Sequence, residues 1–76
     1  MISVELNIGH KNRVRPKDLV GAIANEGRIE GRQIGAITIE ERRSLVELPP
    51  EVVERVMQRV AGRFICGVKV KMRLAR

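Results

Sequence analysis

The apolar residues of this 76-residue chain alternate, then recur at helical spacing, then alternate twice, turn helical again and alternate once more. Few folds accept that order. Val4, Leu6 and Ile8 alternate with Glu5 and Asn7 over residues 3–8, the period of a strand with one wet face. Pro16 suits the first position of a helix, where its missing N–H would have no partner anyway. Leu19, Val20, Ala22 and Ile23 give that helix an apolar side. Residues 34–39 alternate again, Glu40, Glu41 and Arg42 form a polar turn, and residues 43–48 return as a third strand. There Ser44, Val46 and Leu48 oppose Arg43, Leu45 and Glu47. Pro49 and Pro50 close that strand and start a second helix, in which Val52, Val53, Val56, Met57 and Val60 share a face. Glu51 and Glu54 favour its positive N-terminal end. Gly62 marks the stop, a short segment over residues 63–66 follows, and Gly67 opens a last strand. In it Val68, Val70, Met72 and Leu74 oppose Lys69, Lys71 and Arg73.

The order is β-α-β-β-α-β, a split βαβ pattern. Right-handed crossovers then put both helices on one face of a four-stranded antiparallel sheet. The expected fold is an α+β, ferredoxin-like sandwich, one domain over residues 1–76, with no internal repeat, linker or low-complexity segment. Its open face should display Glu5, Asn7, Thr38, Glu40, Arg43, Leu45, Glu47, Lys69, Lys71 and Arg73.

Residues 20–37 are punctuated by glycine. Gly27 sits where the first helix should end, in the left-handed position that glycine adopts without steric penalty. Gly31 is a second break. Gly21 lies inside the helix, where it costs up to about 1 kcal/mol against alanine; close packing of helix on sheet is the expected reason.

Fifteen Lys and Arg oppose nine Asp and Glu, a formal charge of +6. No acid follows Glu54, whereas Arg55, Arg59, Arg63, Lys69, Lys71, Arg73 and Arg76 do. A second acid-free run over residues 9–17 holds Lys11, Arg13, Arg15 and Lys17. Charge so distributed fits a polyanion, nucleic acid before membrane; a solubilising surface is the alternative that charge alone leaves open. Cys66 is the only cysteine, so no internal disulfide forms, and a small buried hydrophobe is expected there. A reducing compartment suits it. No apolar run is long enough to span a membrane.

VGAIANEG over residues 20–27, followed by IGAI over residues 34–37, resembles the accessory RNA-binding domain C-terminal to the motor of bacterial DEAD-box RNA helicases. Gly9, His10, Lys11, Arg15 and Pro16 continue the likeness upstream. Ser44, the run Val46, Glu47, Leu48, Pro49, and Gly67, Val68, Lys69, Val70 continue it downstream. The resemblance is greatest to the cold-shock DeaD/CsdA branch, with the DbpA branch next. It implies the RRM-like version of the sandwich, cut from a longer helicase, with RNA as partner and the helicase core attached in cis. For the parent it implies ATP and Mg²⁺, a cytoplasmic location, and service in ribosome assembly, mRNA turnover or cold adaptation.

An RRM stacks bases on aromatic residues of its two central strands. Here those positions are Glu5, Arg43 and Leu45, so the usual platform is missing. The plane of Arg43 offers one stacking surface; a solvated ladder of cross-strand ion pairs is the other reading of that face. The basic loop over residues 9–17 is the better candidate. Entering a helix, it brings cations and free backbone N–H groups together, as phosphate requires. The resemblance implies RNA contact by Lys11 and Arg15. Arg13 and Lys17 belong to the same run, His10 either stacks or is simply solvated, and Lys69, Lys71 and Arg73 assist from the last strand.

Enzymatic readings find little support. The chain has no GxxxxGK[ST] phosphate loop, and one His and one Cys do not make a conventional zinc site. Acylphosphatase shares the topology, but its first loop has a second glycine and an Asn follows on strand two; both are absent here. The chain itself is therefore expected to be non-catalytic and to need no cofactor. A ferredoxin-like protein–protein or dimerisation module is the remaining alternative. Leu45, the one apolar residue expected on the open face, is too little for a stable interface core, and a monomer is expected.

Overall fold

The computed structural model describes residues 1–75. In chain order the elements are β1 (Ile2–Leu6), α1 (Pro16–Gly27), β2 (Ile37–Ile39), β3 (Ser44–Leu48), α2 (Pro50–Val60), β4 (Phe64–Ile65), β5 (Val68–Lys69) and β6 (Met72–Leu74). Short 3-10 turns, His10–Asn12 and Gly31–Gln33, precede α1 and β2 respectively. The main sheet runs β2-β3-β1-β6 and is antiparallel throughout. Val4 and Leu6 from β1, and Val46 and Leu48 from β3, meet Leu19 and Ile23 of α1 and Val56 and Val60 of α2 in one aliphatic core. This is the expected ferredoxin-like α+β sandwich.

Among the described residues Ser44 is the one buried polar side chain, and its hydroxyl donates to the Ile8 carbonyl at 2.7 Å. The bond ties β3 to the residue where β1 gives way to the loop. An unpaired hydroxyl there would cost about 1–3 kcal/mol.

The expected last strand is in fact two. Phe64 and Ile65 pair with Lys69 and Val68, forming a hairpin separate from the main sheet. Cys66 and Gly67 make its turn, both at positive φ (51° and 79°), the geometry that joins twisted strands through two residues. Gly62, at φ 87°, donates to the Val70 carbonyl, and Val70 donates back to Arg63. Two residues thus face one, a glycine bulge that bends the strand. Beyond Val70 the chain changes partner, and Met72–Leu74 pairs with β1. Alternation continues through the change, since Val70 is buried between exposed Lys69 and Lys71. Periodicity reports which face is buried, not which strand lies alongside.

Residues 34–39 are shortened for a related reason. Gly35 donates to the Glu47 carbonyl at 2.8 Å, and Glu47 donates to the Ala36 carbonyl at 3.0 Å. Both residues therefore face Glu47, and regular pairing starts only at Ile37.

The glycine expectations need correction. Arg28, not Gly27, takes the left-handed position after α1, at φ 56°. Gly27 belongs to the helix and is needed for packing, because a Cβ there would lie 3.0 Å from Val56 Cγ2 on α2. Gly21 makes no close packing with the sheet; nothing lies within 4 Å of where its Cβ would be. Cys66 is exposed at the hairpin turn, not buried, because it is one of the two residues of a tight turn, which projects into solvent.

Candidate nucleic-acid interface

The loop between β1 and α1 is docked rather than free. Its 3-10 turn lies on the β2–β3 turn: His10 N–H donates to the Glu40 carbonyl at 2.8 Å and Lys11 N–H to the Glu41 carbonyl at 3.0 Å. Gly9 permits this approach, since a Cβ would fall 2.2 Å from the Glu40 carbonyl oxygen. Asn12 and Arg13 N–H groups close the turn on Gly9 and His10, and the Asn12 side chain accepts from Gly9 N–H at 3.1 Å. Val14 then plugs into the core. At the start of α1, the Asp18 carboxylate accepts from Arg15 N–H at 2.9 Å.

This corrects one expectation. The backbone N–H groups of Gly9, His10, Lys11, Asn12, Arg13 and Arg15 are already bonded, and the Asp18 carboxylate occupies the first turn of the helix, so these groups do not cradle phosphate. What the loop offers is side-chain charge. His10, Lys11, Arg13, Arg15 and Lys17 are all exposed. Among the described residues none of them carries an ion pair.

The hairpin brings the second basic run to the same end of the molecule. Cys66 Sγ lies 3.8 Å from Asp18 Oδ2, placing the hairpin turn against the first turn of α1. Partial desolvation, then the Asp18 charge and its hydrogen bond, push the Cys66 thiol up, away from the reactive thiolate. Asn7 holds the strand where it changes partner, donating to the Lys69 carbonyl at 3.1 Å and accepting from Lys71 N–H at 2.6 Å. Lys69 therefore sits on the hairpin and Lys71 at the crossing point. Neither lies in the regular ladder of the main sheet, where the single-strand expectation had put them.

The open face of the main sheet is different. Glu5, on the central strand, has a side chain only 17% exposed and meets two arginines: Arg43 Nη1 at 3.1 Å and Arg73 Nη2 at 3.0 Å. Arg43 Nε also meets Glu40 at 2.6 Å. The hydrogen bond that Arg43 donates to Glu40 and the Glu40 charge, with the charge of Glu5, push the Arg43 pKa further up. Glu5 stands opposite Leu45 on one side and Arg73 on the other. The face is thus a cross-strand ladder of closed ion pairs. Arg43 and Arg73 are held there by carboxylates, and Leu45 is half-buried between strands.

Sequence reasoning passed over Phe64. It is the chain's only aromatic residue, it is 70% exposed, and it stands directly opposite Lys69 on the hairpin. Its place next to Arg63 in a basic, acid-free run was the available signal. Among the described residues no group of His, Cys, Asp and Glu is gathered to hold a metal ion, and no helix is long and apolar enough to cross a membrane.

These features sit on a chain with recognisable relatives. The ATP-dependent RNA helicase DeaD of Buchnera aphidicola subsp. Schizaphis graminum is 35% identical over 71 residues, 93% of this chain and 12% of the relative. The DeaD helicase of Mycobacterium tuberculosis H37Rv is 36% identical over 66 residues, 87% of this chain and 12% of the relative. That of Escherichia coli K12 is 35% identical over 69 residues, 91% of this chain and 11% of the relative. The chain spans only that small share of each. The DbpA RNA-binding domain family matches residues 3–74, from within the first strand to the end of the last, and the chain belongs to that family.

Proposed function

We propose that this chain is the RNA-anchoring domain of a longer DEAD-box RNA helicase and that it grips RNA at the flank formed by the β1–α1 loop. One observation carries the reading: Lys11, Arg13, Arg15 and Lys17 are exposed and without ion pairs among the described residues, while Arg43 and Arg73 are tied to Glu5. His10, Lys69 and Lys71 flank the same end of the molecule. Cations of this kind bind phosphate without reading sequence. In the parent protein ATP and Mg²⁺ serve motor domains elsewhere in the chain, and the anchor raises the local concentration of structured RNA, ribosomal or messenger, at that motor. The setting is the cytoplasm, and the isolated domain acts as a monomer.

A salt titration of RNA binding tests the reading. Each phosphate neutralised on a single strand contributes about −0.7 to the log–log slope, so four or five contacts give roughly −3. A slope near zero would remove the electrostatic basis of the proposal.

A further inference from the structure

The ring of Phe64 is outside the core by construction. The two-residue turn at Cys66 and Gly67 sets the hairpin register, and that register sends Ile65 inward, 5% exposed, and Phe64 outward, 70% exposed. A shift of one residue would exchange them. The bulge at Gly62 and the Asn7 bonds to Lys69 and Lys71 hold both ends of the hairpin in that register. Phe64 belongs neither to the core cluster nor to the apolar residues packed against it. Its cross-strand partner is Lys69, and residues directly opposite bring their Cβ atoms to about 4.5–5.5 Å.

A lone exposed ring opposite a lysine suits a nucleobase better than a protein surface. A protein interface needs a contiguous apolar centre, which this face lacks. A base needs one flat apolar ring to stack on and a cation for the adjoining phosphate. We propose that Phe64 is the stacking platform for one unpaired base of the bound RNA, with Lys69 taking the phosphate beside it. The missing aromatic positions of the main sheet are thereby replaced by a single ring on the hairpin. The hairpin turn touches the first turn of α1 through Cys66 and Asp18, so a strand held at Arg15 and Lys17 has a short path to it. The ring has no hydrogen-bonding group, so the stacked base is chosen by being unpaired, not by its identity. This inference rests on the RNA-binding reading above.

The test uses fluorescence anisotropy with two labelled RNAs, a blunt duplex and the same duplex with a single-stranded tail. Phe64→Ala should weaken binding of the tailed RNA about ten-fold, within the range that one stacked base contributes. It should leave the blunt duplex unchanged. Phe64→Trp should retain affinity, and its fluorescence should be quenched by the tailed RNA alone. Circular dichroism checks folding, which an exposed position should not disturb. Equal loss on both RNAs, no loss on either, or an unquenched tryptophan overturns the platform. So does a change in sedimentation mass with RNA affinity intact, which would make Phe64 a protein contact. If the wild-type chain binds neither RNA, the anchoring proposal falls and takes this one with it. If wild type binds both and Phe64→Ala matches it, only the platform falls.

Discussion

Arg43 and Arg73, on the open face of the sheet, each end on Glu5, whereas Lys11, Arg13, Arg15 and Lys17, beside the start of α1, carry no ion pair among the described residues. Residue type does not separate the two regions; both are rich in Lys and Arg. The separation comes from where the acids fall. Glu5 is on the central strand, flanked by β3 and β6, so a single carboxylate pairs with an arginine on each side. The loop before α1 meets the β2–β3 turn through backbone atoms, which leaves its side chains free. A cation already paired must lose its partner before it binds phosphate, and a free one need not. Available charge, not charge counted along the chain, locates a polyanion site.

Substitutions in the two regions should have different consequences. The largest effect is expected at Gly9, where any Cβ meets the backbone of the β2–β3 turn. Gly9→Ala should destabilise the fold by about 2–4 kcal/mol, as overpacking against unyielding backbone does. Thermal unfolding measures it, and an unchanged midpoint would mean that the flank is not docked as described. Next comes the double change Lys11→Ala plus Arg15→Ala. It should cost about 1–3 kcal/mol of RNA binding with the fold intact, taking charge-assisted contacts as imperfectly additive. Near-wild-type affinity would move the site off the flank.

Glu5→Gln has a smaller expected effect of opposite sign. It frees Arg73, leaves Arg43 paired with Glu40 alone, and removes a negative charge from the face. RNA binding should tighten about two- to five-fold, with a salt slope steeper by about 0.7 for each phosphate newly contacted. Weaker binding would show that the closed ladder itself meets RNA. The smallest effect is expected at Leu45. Leu45→Ala should change affinity by less than about 0.5 kcal/mol, as at a position without an anchoring role. Loss of binding there, with the loop variant intact, would place the RNA on the wrong face for this account.

The element order was legible because burial imposes a period on apolar residues, and β1, β3, α1 and α2 each show it over enough positions to be read. Pro16 and Pro50 start helices, as a residue lacking an N–H should. The shorter strands were not legible to the same degree. Alternation from Val68 to Leu74 reads as one strand, yet Asn7 and the Gly62 bulge split its pairing between β4 and β1. Gly27 shows the same limit: the residue marks a constraint, but its helix–helix contact with Val56 looks identical, along the chain, to a helix stop.

The candidate site divides along similar lines. The β-α-β-β-α-β order, the two acid-free runs, the lack of aromatic residues on the central strands and the kinship with helicase RNA-binding domains are all written in the chain. Each of these is a property of residues near one another in the chain. Folding alone closes Glu5 on Arg43 and Arg73, bonds the His10 and Lys11 N–H groups to the Glu40 and Glu41 carbonyls, and sets Phe64 outside opposite Lys69. Ion pairing and hydrogen bonding act over a few ångströms in space. Residues 5 and 73, or 10 and 40, become neighbours only when the sheet forms.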